Sequence, residues 1–207
     1  MGDKGSRPRR VGVMGGTFDP IHNGHLVAAA EVADRCDLDE VVFVPTGQPW
    51  HKADTTVSDA EHRYAMTLLA TASHPRFRVS RVDVDRPGPT YSVDTLRDLG
   101  RKYGPGVRLF FIIGADTVET VLTWKAVDEV FSLATFAAVN RTGHRRGATR
   151  LPAHAEVVTV DMPGIDVSST DCRERVAQGR PIWFLTPDEV VRYIDKHGLY
   201  RATVGSE

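Results

Sequence analysis

The chain has 207 residues, a formal net charge of −1 at pH 7 and 41% hydrophobic residues. This length is typical of one α/β domain with a substantial core, and the near-neutral charge excludes a global field that would attract nucleic acid or a membrane. No apolar run is long enough to span a membrane, no signal peptide is visible, and Cys36 and Cys172 form no C-x-x-C pattern. We therefore expect a cytoplasmic protein with free thiols, a polar flexible tail over residues 1–10 and one domain over residues 11–207, with no nucleic-acid or membrane partner.

The first predicted strand leads into the most informative segment of the chain. Val11–Met14 is a buried strand, Gly15-Gly16 is a turn, and a helix begins at about Gly24. The glycines let the backbone approach a ligand closely because no Cβ stands in the way. A helix that begins after such a turn directs unpaired N–H groups and a positive dipole end at an anion. His22 and His25 share one face of that helix end, so the segment predicts a phosphate site with two imidazoles.

Three other interpretations of this segment are weaker. The glycines do not have the G-x-G-x-x-G spacing of a dinucleotide site, and the histidines lack the glutamate and the i,i+4 spacing of a zinc protease helix. An isolated His-x-x-His pair is most often an ordinary surface pair. The longer pattern T-x-x-P-x-H-x-G-H, placed directly after a strand and two glycines, favours phosphate chemistry.

The segment Gly15–His25 resembles the T/H-x-G-H motif of the nucleotidyltransferase superfamily, most closely that of the bacterial nicotinate mononucleotide adenylyltransferases. The resemblance implies a Rossmann-like, doubly wound α/β fold with a parallel sheet and helices on both faces. It also implies transfer of an adenylyl group from ATP to nicotinate mononucleotide, giving deamido-NAD and pyrophosphate. His22 and His25 are then catalytic, and the expected ATP contacts in this segment are Gly15, Gly16, Thr17 and Phe18.

The second predicted strand, Val41–Val44, ends in the loop Pro49–Lys52. Ligand contacts in α/β folds lie at such strand ends. The family has a Pro-Pro-His-Lys-like element here, which makes Lys52 a candidate contact for the ATP phosphates. Trp50 replaces the usual small proline, and the sequence leaves open whether it closes the ATP site.

The next segment predicts a helix and a strand. Ser58–Glu61 has the pattern of a capping box. The apolar face of the helix that follows is expected to hold Arg63, Met66, Leu69 and Ala70. Residues 77–80 and 82–84 then alternate in polarity like a strand.

The segment Thr90–Leu96 opens a helix that ends near Tyr103, and either Thr90 or Ser92 can cap it. The resemblance places this segment at the mononucleotide site, with the backbone N–H of Thr90 donated to the substrate carboxylate. For Tyr91, substrate contact and simple packing are equally compatible with the sequence.

The most hydrophobic run, Arg108–Ile113, predicts a central strand that is buried on both faces. Gly114 after it suits close backbone approach to ATP, and Asp116 can cap a helix or accept hydrogen bonds from ribose hydroxyls. Further along the chain, the resemblance implies that Trp124 stacks on the pyridine ring and that the backbone N–H of Lys125 helps bind its carboxylate.

The last part of the chain contains a second motif. Strands are predicted at 134–139 and 157–160, with a polar, Arg-rich loop between them. Val167–Arg173 resembles the family's I-S-S-T-x-x-R motif, in which Ser168 or Ser169 can cap a helix. Thr170 and Arg173 face the same way, so hydroxyls, N–H groups and a guanidinium could form a triphosphate cradle of Ser169, Thr170 and Arg173. We expect this cradle and the two histidines to meet around ATP, with Arg173 acting as a catalytic residue together with His22 and His25. A further capping box at Thr186–Glu189 predicts the final helix.

The sequence offers no activated nucleophile, so catalysis is expected to rest on positioning and charge stabilisation. Mg²⁺ is expected to arrive with ATP, because no carboxylate cluster predicts a dedicated metal site. The rival functions are those of a phosphopantetheine adenylyltransferase, another superfamily transferase, or a non-catalytic nucleotide sensor. The sequence leaves open the choice between acid and amide mononucleotide, and it does not exclude a homo-oligomer.

Overall fold

Strands and helices alternate in the computed structural model, which describes residues 7–49, 57–115, 117–140 and 151–202. The strands are β1 (Arg10–Gly16), β2 (Glu40–Pro45), β3 (Gln48–Pro49), β4 (Phe77–Val79), β5 (Pro89–Thr90), β6 (Arg108–Gly114), β7 (Thr135–Asn140) and β8 (Val157–Asp161). The helices are α1 (Asn23–Arg35), α2 (Ala60–Thr71), α3 (Ser92–Tyr103), α4 (Thr117–Thr120), α5 (Val127–Leu133), α6 (Ser169–Ala177) and α7 (Asp188–His197), with a 3₁₀ turn at Val121–Thr123.

The main sheet has six strands in the order β4-β2-β1-β6-β7-β8, and every pairing in it is parallel. The chain builds outward from β1 through β2 to β4, and then crosses to the other side of β1 to build β6, β7 and β8. This is the doubly wound fold that the family resemblance implies. Its topological switch lies between β1 and β6, and ligands in such folds bind at the carboxyl ends of the strands at the switch.

The sheet is buried on both faces, as continuous apolar strands in a parallel sheet require. One core lies against α1, α2 and α7, where Ala29, Met66 and Val190 are fully buried. The other lies against α3 and α5, where Leu96 and Val130 are fully buried. No helix in the described part of the chain is long and apolar enough to cross a bilayer.

Two predicted strand boundaries are wrong. β1 continues through Gly15 and Gly16, because both residues pair with β2 instead of leaving the sheet as a turn. Residues 82–84 form a turn, and β4 ends at Val79. In this turn the carboxyl group of Asp83 accepts from the hydroxyl of Thr95 on α3, and both residues are buried.

Two predicted helix caps are also wrong, because their side chains or N–H groups have tertiary partners. Asp59, not Ser58, caps α2 by accepting a hydrogen bond from the backbone N–H of Glu61. The Thr186 hydroxyl donates to the carbonyl of Ile21, and Pro187 takes the cap position of α7 without a side-chain bond. Ser168 does cap α6, where its Oγ accepts from the backbone N–H of Asp171 at 3.0 Å.

The start of α3 and one face of α2 also differ from the prediction. Neither Thr90 nor Ser92 caps α3, since Tyr91 occupies the cap position. Thr90 lies in β5, which pairs with β3. On α2, Met66 and Ala70 are buried as predicted, whereas Leu69 is 36% exposed.

Candidate active site

A cavity of about 600 Å³ lies at the carboxyl ends of β1 and β6, and we call it the central cavity. Its position is the topological switch point of the sheet. Its lining from β1, the loop after it and α1 includes Met14, Gly15, Gly16, Thr17, Gly24 and His25. Its lining from the other segments includes Asp83, Thr90, Tyr91, Thr95, Gly114, Trp124 and Lys125. The cavity therefore joins residues predicted for ATP to residues predicted for the mononucleotide.

The two histidines form one unit at the beginning of α1. The backbone N–H of His22 donates to Nδ1 of His25 at 3.2 Å, and the two rings stack with centroids 3.7 Å apart. His25 lines the central cavity. The side chain of His22 packs against the ring of His25, and His22 is 3% exposed. Because Nδ1 of His25 accepts a hydrogen bond, a neutral ring carries its proton on Nε2. His25 can therefore act as an N–H donor.

Two glycines of the first motif are packed closely against rings of the protein itself. A Cβ at Gly16 would lie 2.8 Å from the ring of Phe18, and a Cβ at Gly24 would lie 3.1 Å from the ring of His22. Phe18 holds a left-handed backbone with φ of 52°, and its ring packs edge-on against His25. Phe18 is 2% exposed and contributes to the core, so the structure puts it behind the cavity rather than among the lining residues.

Arg63 ties together the loops that border the cavity. Its guanidinium donates to the carbonyls of Thr17 at 2.9 Å, Thr46 at 2.6 Å, Gly47 at 2.8 Å and Ser58 at 2.8 Å. Burial lowers the pKa of Arg63, but an arginine keeps its charge in proteins. The sequence signal for this role was a charged side chain in the middle of an otherwise apolar helix face.

Asp19 is a second buried junction, to which the sequence analysis assigned no role. Its carboxylate accepts from the hydroxyl of Tyr200 at 2.6 Å and from the backbone N–H of Ser58 at 3.1 Å. Its carbonyl accepts from Arg173 at 2.7 Å. Burial raises the pKa of Tyr200, and the nearby charge of Asp19 raises it further, so this hydroxyl stays a donor.

The second motif meets the first, as expected. The contacts run from side chains of the second motif to the main chain of the first. Ser169 Oγ donates to the carbonyl of Pro20 at 2.8 Å, while Arg173 bonds to the carbonyl of Asp19 and to the hydroxyl of Thr170. None of the three predicted cradle residues is among the described residues that line the central cavity. These side chains hold the loop that precedes the histidines, and their direct contact with phosphates stays a prediction.

Aromatic and cationic side chains from other segments lie together in the cavity lining. Trp124 packs edge-on against Phe111, with ring centroids 5.9 Å apart. Nζ of Lys125 lies 4.1 Å from the centroid of the Tyr91 ring, which is a cation–π distance. The part of the cavity lined by Trp124, Lys125 and Tyr91 suits a flat ring with a negative substituent. Lys52, Trp50 and Asp116 lie outside the described residues, so the predictions for them stay predictions.

Comparison with known proteins agrees with this geometry. A family model described as cytidylyltransferase-like matches residues 13–175. A protein of Salinispora arenicola, named "probable nicotinate-nucleotide adenylyltransferase", is 62% identical over 188 residues that cover 91% of this chain and all of the relative. The chain belongs to the nicotinate-nucleotide adenylyltransferase family. This confirms the resemblance seen in the motifs.

Other members of the family extend the comparison. A relative of the same name from Clavibacter michiganensis is 60% identical over 93% of this chain and 94% of its own length. The structure of Plasmodium falciparum nicotinic acid mononucleotide adenylyltransferase complexed with NaAD superimposes with a TM-score of 0.72 at 17% identity, covering 93% of this chain and 97% of that one. At that identity the likeness establishes the fold that the two enzymes share.

Proposed function

We propose that this protein transfers the adenylyl group of ATP to nicotinate mononucleotide, giving deamido-NAD and pyrophosphate in NAD biosynthesis. The observation that carries the proposal is the central cavity, because its lining combines His25 and the start of α1 with Trp124, Lys125 and Tyr91. The names of the curated relatives support the same activity.

In the proposed reaction, an oxygen of the mononucleotide 5′-phosphate attacks the α-phosphorus of ATP in line. A new P–O bond forms while the bond from the α-phosphorus to the bridging oxygen breaks, and pyrophosphate leaves with the electron pair. A phosphate monoester is already a nucleophile, so the protein supplies position and charge stabilisation. Nε2 of His25 donates to a phosphate oxygen, and the N-terminal dipole of α1 stabilises the developing charge.

The remaining site residues have supporting parts in this proposal. His22 orients the ring of His25 through its N–H and its stacked ring. The backbone at Gly15, Gly16 and Thr17 approaches the phosphates of ATP. Thr90 and Lys125 bind the ring carboxylate through their backbone N–H groups, and Trp124 stacks on the pyridine ring.

We propose that Mg²⁺ enters as the complex of ATP, held mainly by phosphate oxygens. Within residues 7–49, 57–115, 117–140 and 151–202, no group of three His, Cys, Asp or Glu side chains could hold a metal ion. The carboxylate of Asp19, which is close to the motif, already accepts from Tyr200 and Ser58. The ion would neutralise charge on the leaving pyrophosphate. The proposed compartment is the cytoplasm, with which the free, buried thiols of Cys36 and Cys172 agree.

A substrate panel tests the function. The protein is mixed with Mg-ATP and, separately, with nicotinate mononucleotide, its amide and phosphopantetheine, and pyrophosphate release is followed together with the adenylylated product. We expect the fastest release with the acid mononucleotide. Release with phosphopantetheine alone would identify the rival transferase. Binding of ATP without release on any substrate would identify a nucleotide sensor.

A further inference from the structure

Asp83 is a buried carboxyl group in the wall of the central cavity, and the proposed mechanism does not use it. It lies in the turn after β4 and is 4% exposed, but it lines the cavity beside Thr90, Tyr91 and Thr95. A Cβ added at Gly47 would lie 2.3 Å from the carbonyl oxygen of Asp83, so the turn is packed tightly against the loop after β2. This packing holds the carboxyl group in place.

One threonine hydroxyl faces both oxygens of the Asp83 carboxyl group. Both carboxyl oxygens lie within 2.9 Å of one atom, Oγ1 of Thr95, and the same Oγ1 lies 3.3 Å from the carbonyl of Tyr91. A threonine hydroxyl has a single proton to donate. Thr95 can therefore donate to only one carboxyl oxygen at a time, so it satisfies an ionised Asp83 only in part.

The charges around Asp83 only partly balance one another. Nη2 of Arg86 lies 3.7 Å away, but this guanidinium has a closer partner in Asp98. Asp94 and Asp98 on α3 oppose ionisation of Asp83. Burial is the largest effect and raises its pKa to about 6, although the Thr95 hydroxyl and Arg86 act in the opposite direction.

Charged groups on other elements also face the cavity or the loop packed against Asp83. Arg63 donates to the carbonyl of Gly47, the residue packed against the Asp83 turn. His25 and Lys125 line the same cavity, and the ammonium group of Lys125 lies over the ring of Tyr91. None of these cations forms an ion pair with Asp83 within the described residues.

We propose that Asp83 is a specificity residue of the mononucleotide subsite. When the acid mononucleotide binds in this subsite, the carboxyl group of Asp83 takes up one proton. The inference rests on the proposed function, because it needs an anionic mononucleotide in the cavity. An ionised Asp83 repels the ring carboxylate and the phosphate of that ligand, whereas a protonated Asp83 leaves the wall uncharged. The amide mononucleotide lacks the ring carboxylate and is therefore coupled less strongly to the proton.

Binding calorimetry tests this directly. Nicotinate mononucleotide is titrated into the protein from about pH 5.5 to about pH 7.5, with a saturating ATP analogue whose α–β bridge cannot be cleaved. We expect the Kd of the wild type to weaken about three- to tenfold more than that of Asp83→Asn over this range. Titration in two buffers of different ionisation enthalpy should show greater proton uptake by the wild type. The comparison of wild type with Asp83→Asn cancels the contribution of the substrate phosphate, because that group titrates in the same way with both proteins.

Two further variants and one ligand complete the test. Asp85→Asn is the matched control, because Asp85 lies on the same turn but is exposed and pairs with Arg81. Thr95→Val keeps the carboxyl group and removes a hydroxyl that lowers its pKa, so the pH midpoint of binding should rise even if Asp83→Asn folds poorly. Parallel Kd profiles for wild type and Asp83→Asn, or equal coupling for acid and amide, would overturn the proposal. The proposed function is judged separately, by pyrophosphate release from the wild type at one pH.

Discussion

The hydroxyl of Tyr200 donates to the carboxylate of Asp19 at 2.6 Å, although the two residues are 181 positions apart. The contact fastens the segment after α7 to the loop that precedes the paired histidines. The same Asp19 receives Arg173 on its carbonyl, so one residue joins both motifs and the last described segment of the chain. Four predictions concern this arrangement and the site that it supports.

Tyr200→Phe should destabilise the protein while preserving the ring. The substitution leaves a buried carboxylate oxygen of Asp19 without its donor, which costs about 1–3 kcal/mol. Urea unfolding measures the loss. Tyr193→Phe serves as the control, because its hydroxyl contacts His62 between two helices in a more exposed place and should cost less. Equal stability of Tyr200→Phe and wild type would contradict the role of this contact.

Arg63→Lys should lower both stability and turnover, although it keeps the positive charge. A lysine has no planar fork and cannot reach the carbonyls of Thr17, Thr46, Gly47 and Ser58 together, so we expect a loss of about 2–4 kcal/mol. Guanidinium unfolding and the kcat of pyrophosphate release are the measurements. Arg81→Lys, at an exposed ion pair, should leave both quantities nearly unchanged. If the two variants behave alike, Arg63 does not organise the loops.

His25→Asn should separate the structural part of His25 from its chemical part. An asparagine oxygen can accept the N–H of His22 in place of Nδ1, so α1 should keep its first turn. The donor on Nε2 is lost, and kcat should fall about 10²- to 10³-fold with little change in ATP affinity. Steady-state kinetics and ATP titration provide the comparison with His25→Ala, which should lose stability as well. Turnover close to wild type in His25→Asn would remove His25 from the mechanism.

Trp124→Ala should act mainly on the mononucleotide. Loss of a stacking partner is expected to raise its KM about tenfold, while the KM of ATP stays close to that of the wild type. Initial rates with each substrate varied in turn measure the two constants. Trp183→Ala is the matched control, since Trp183 is 42% exposed and packs against Arg192. An effect of Trp124→Ala confined to ATP would place the pyridine ring elsewhere.

Local patterns predicted the individual strands and helices, and the motifs carried the resemblance that implied the doubly wound fold and the family. Continuous apolar runs such as Arg108–Ile113 predict buried parallel strands, because a strand covered on both faces needs no polar alternation. The first motif predicts a strand that leads into a helix start, although the strand extends through the two glycines that were predicted to turn. These properties depend on residues that are neighbours in the sequence, and the comparisons confirmed the family that they indicated.

The tertiary structure decided which partner each buried polar group took. Ser58 and Thr186 have the sequence of helix caps, but the loop around Asp19 and Ile21 supplies them with distant partners. Asp83 looks like part of a strand in the sequence and becomes a buried wall of the cavity once α3 packs against it. A hydrogen bond is satisfied by whichever group lies within reach, and reach is set by the packing of segments far apart in sequence. Residues that are neighbours in the sequence therefore determine most strands and helices, whereas the contacts that shape the site form only in the folded chain.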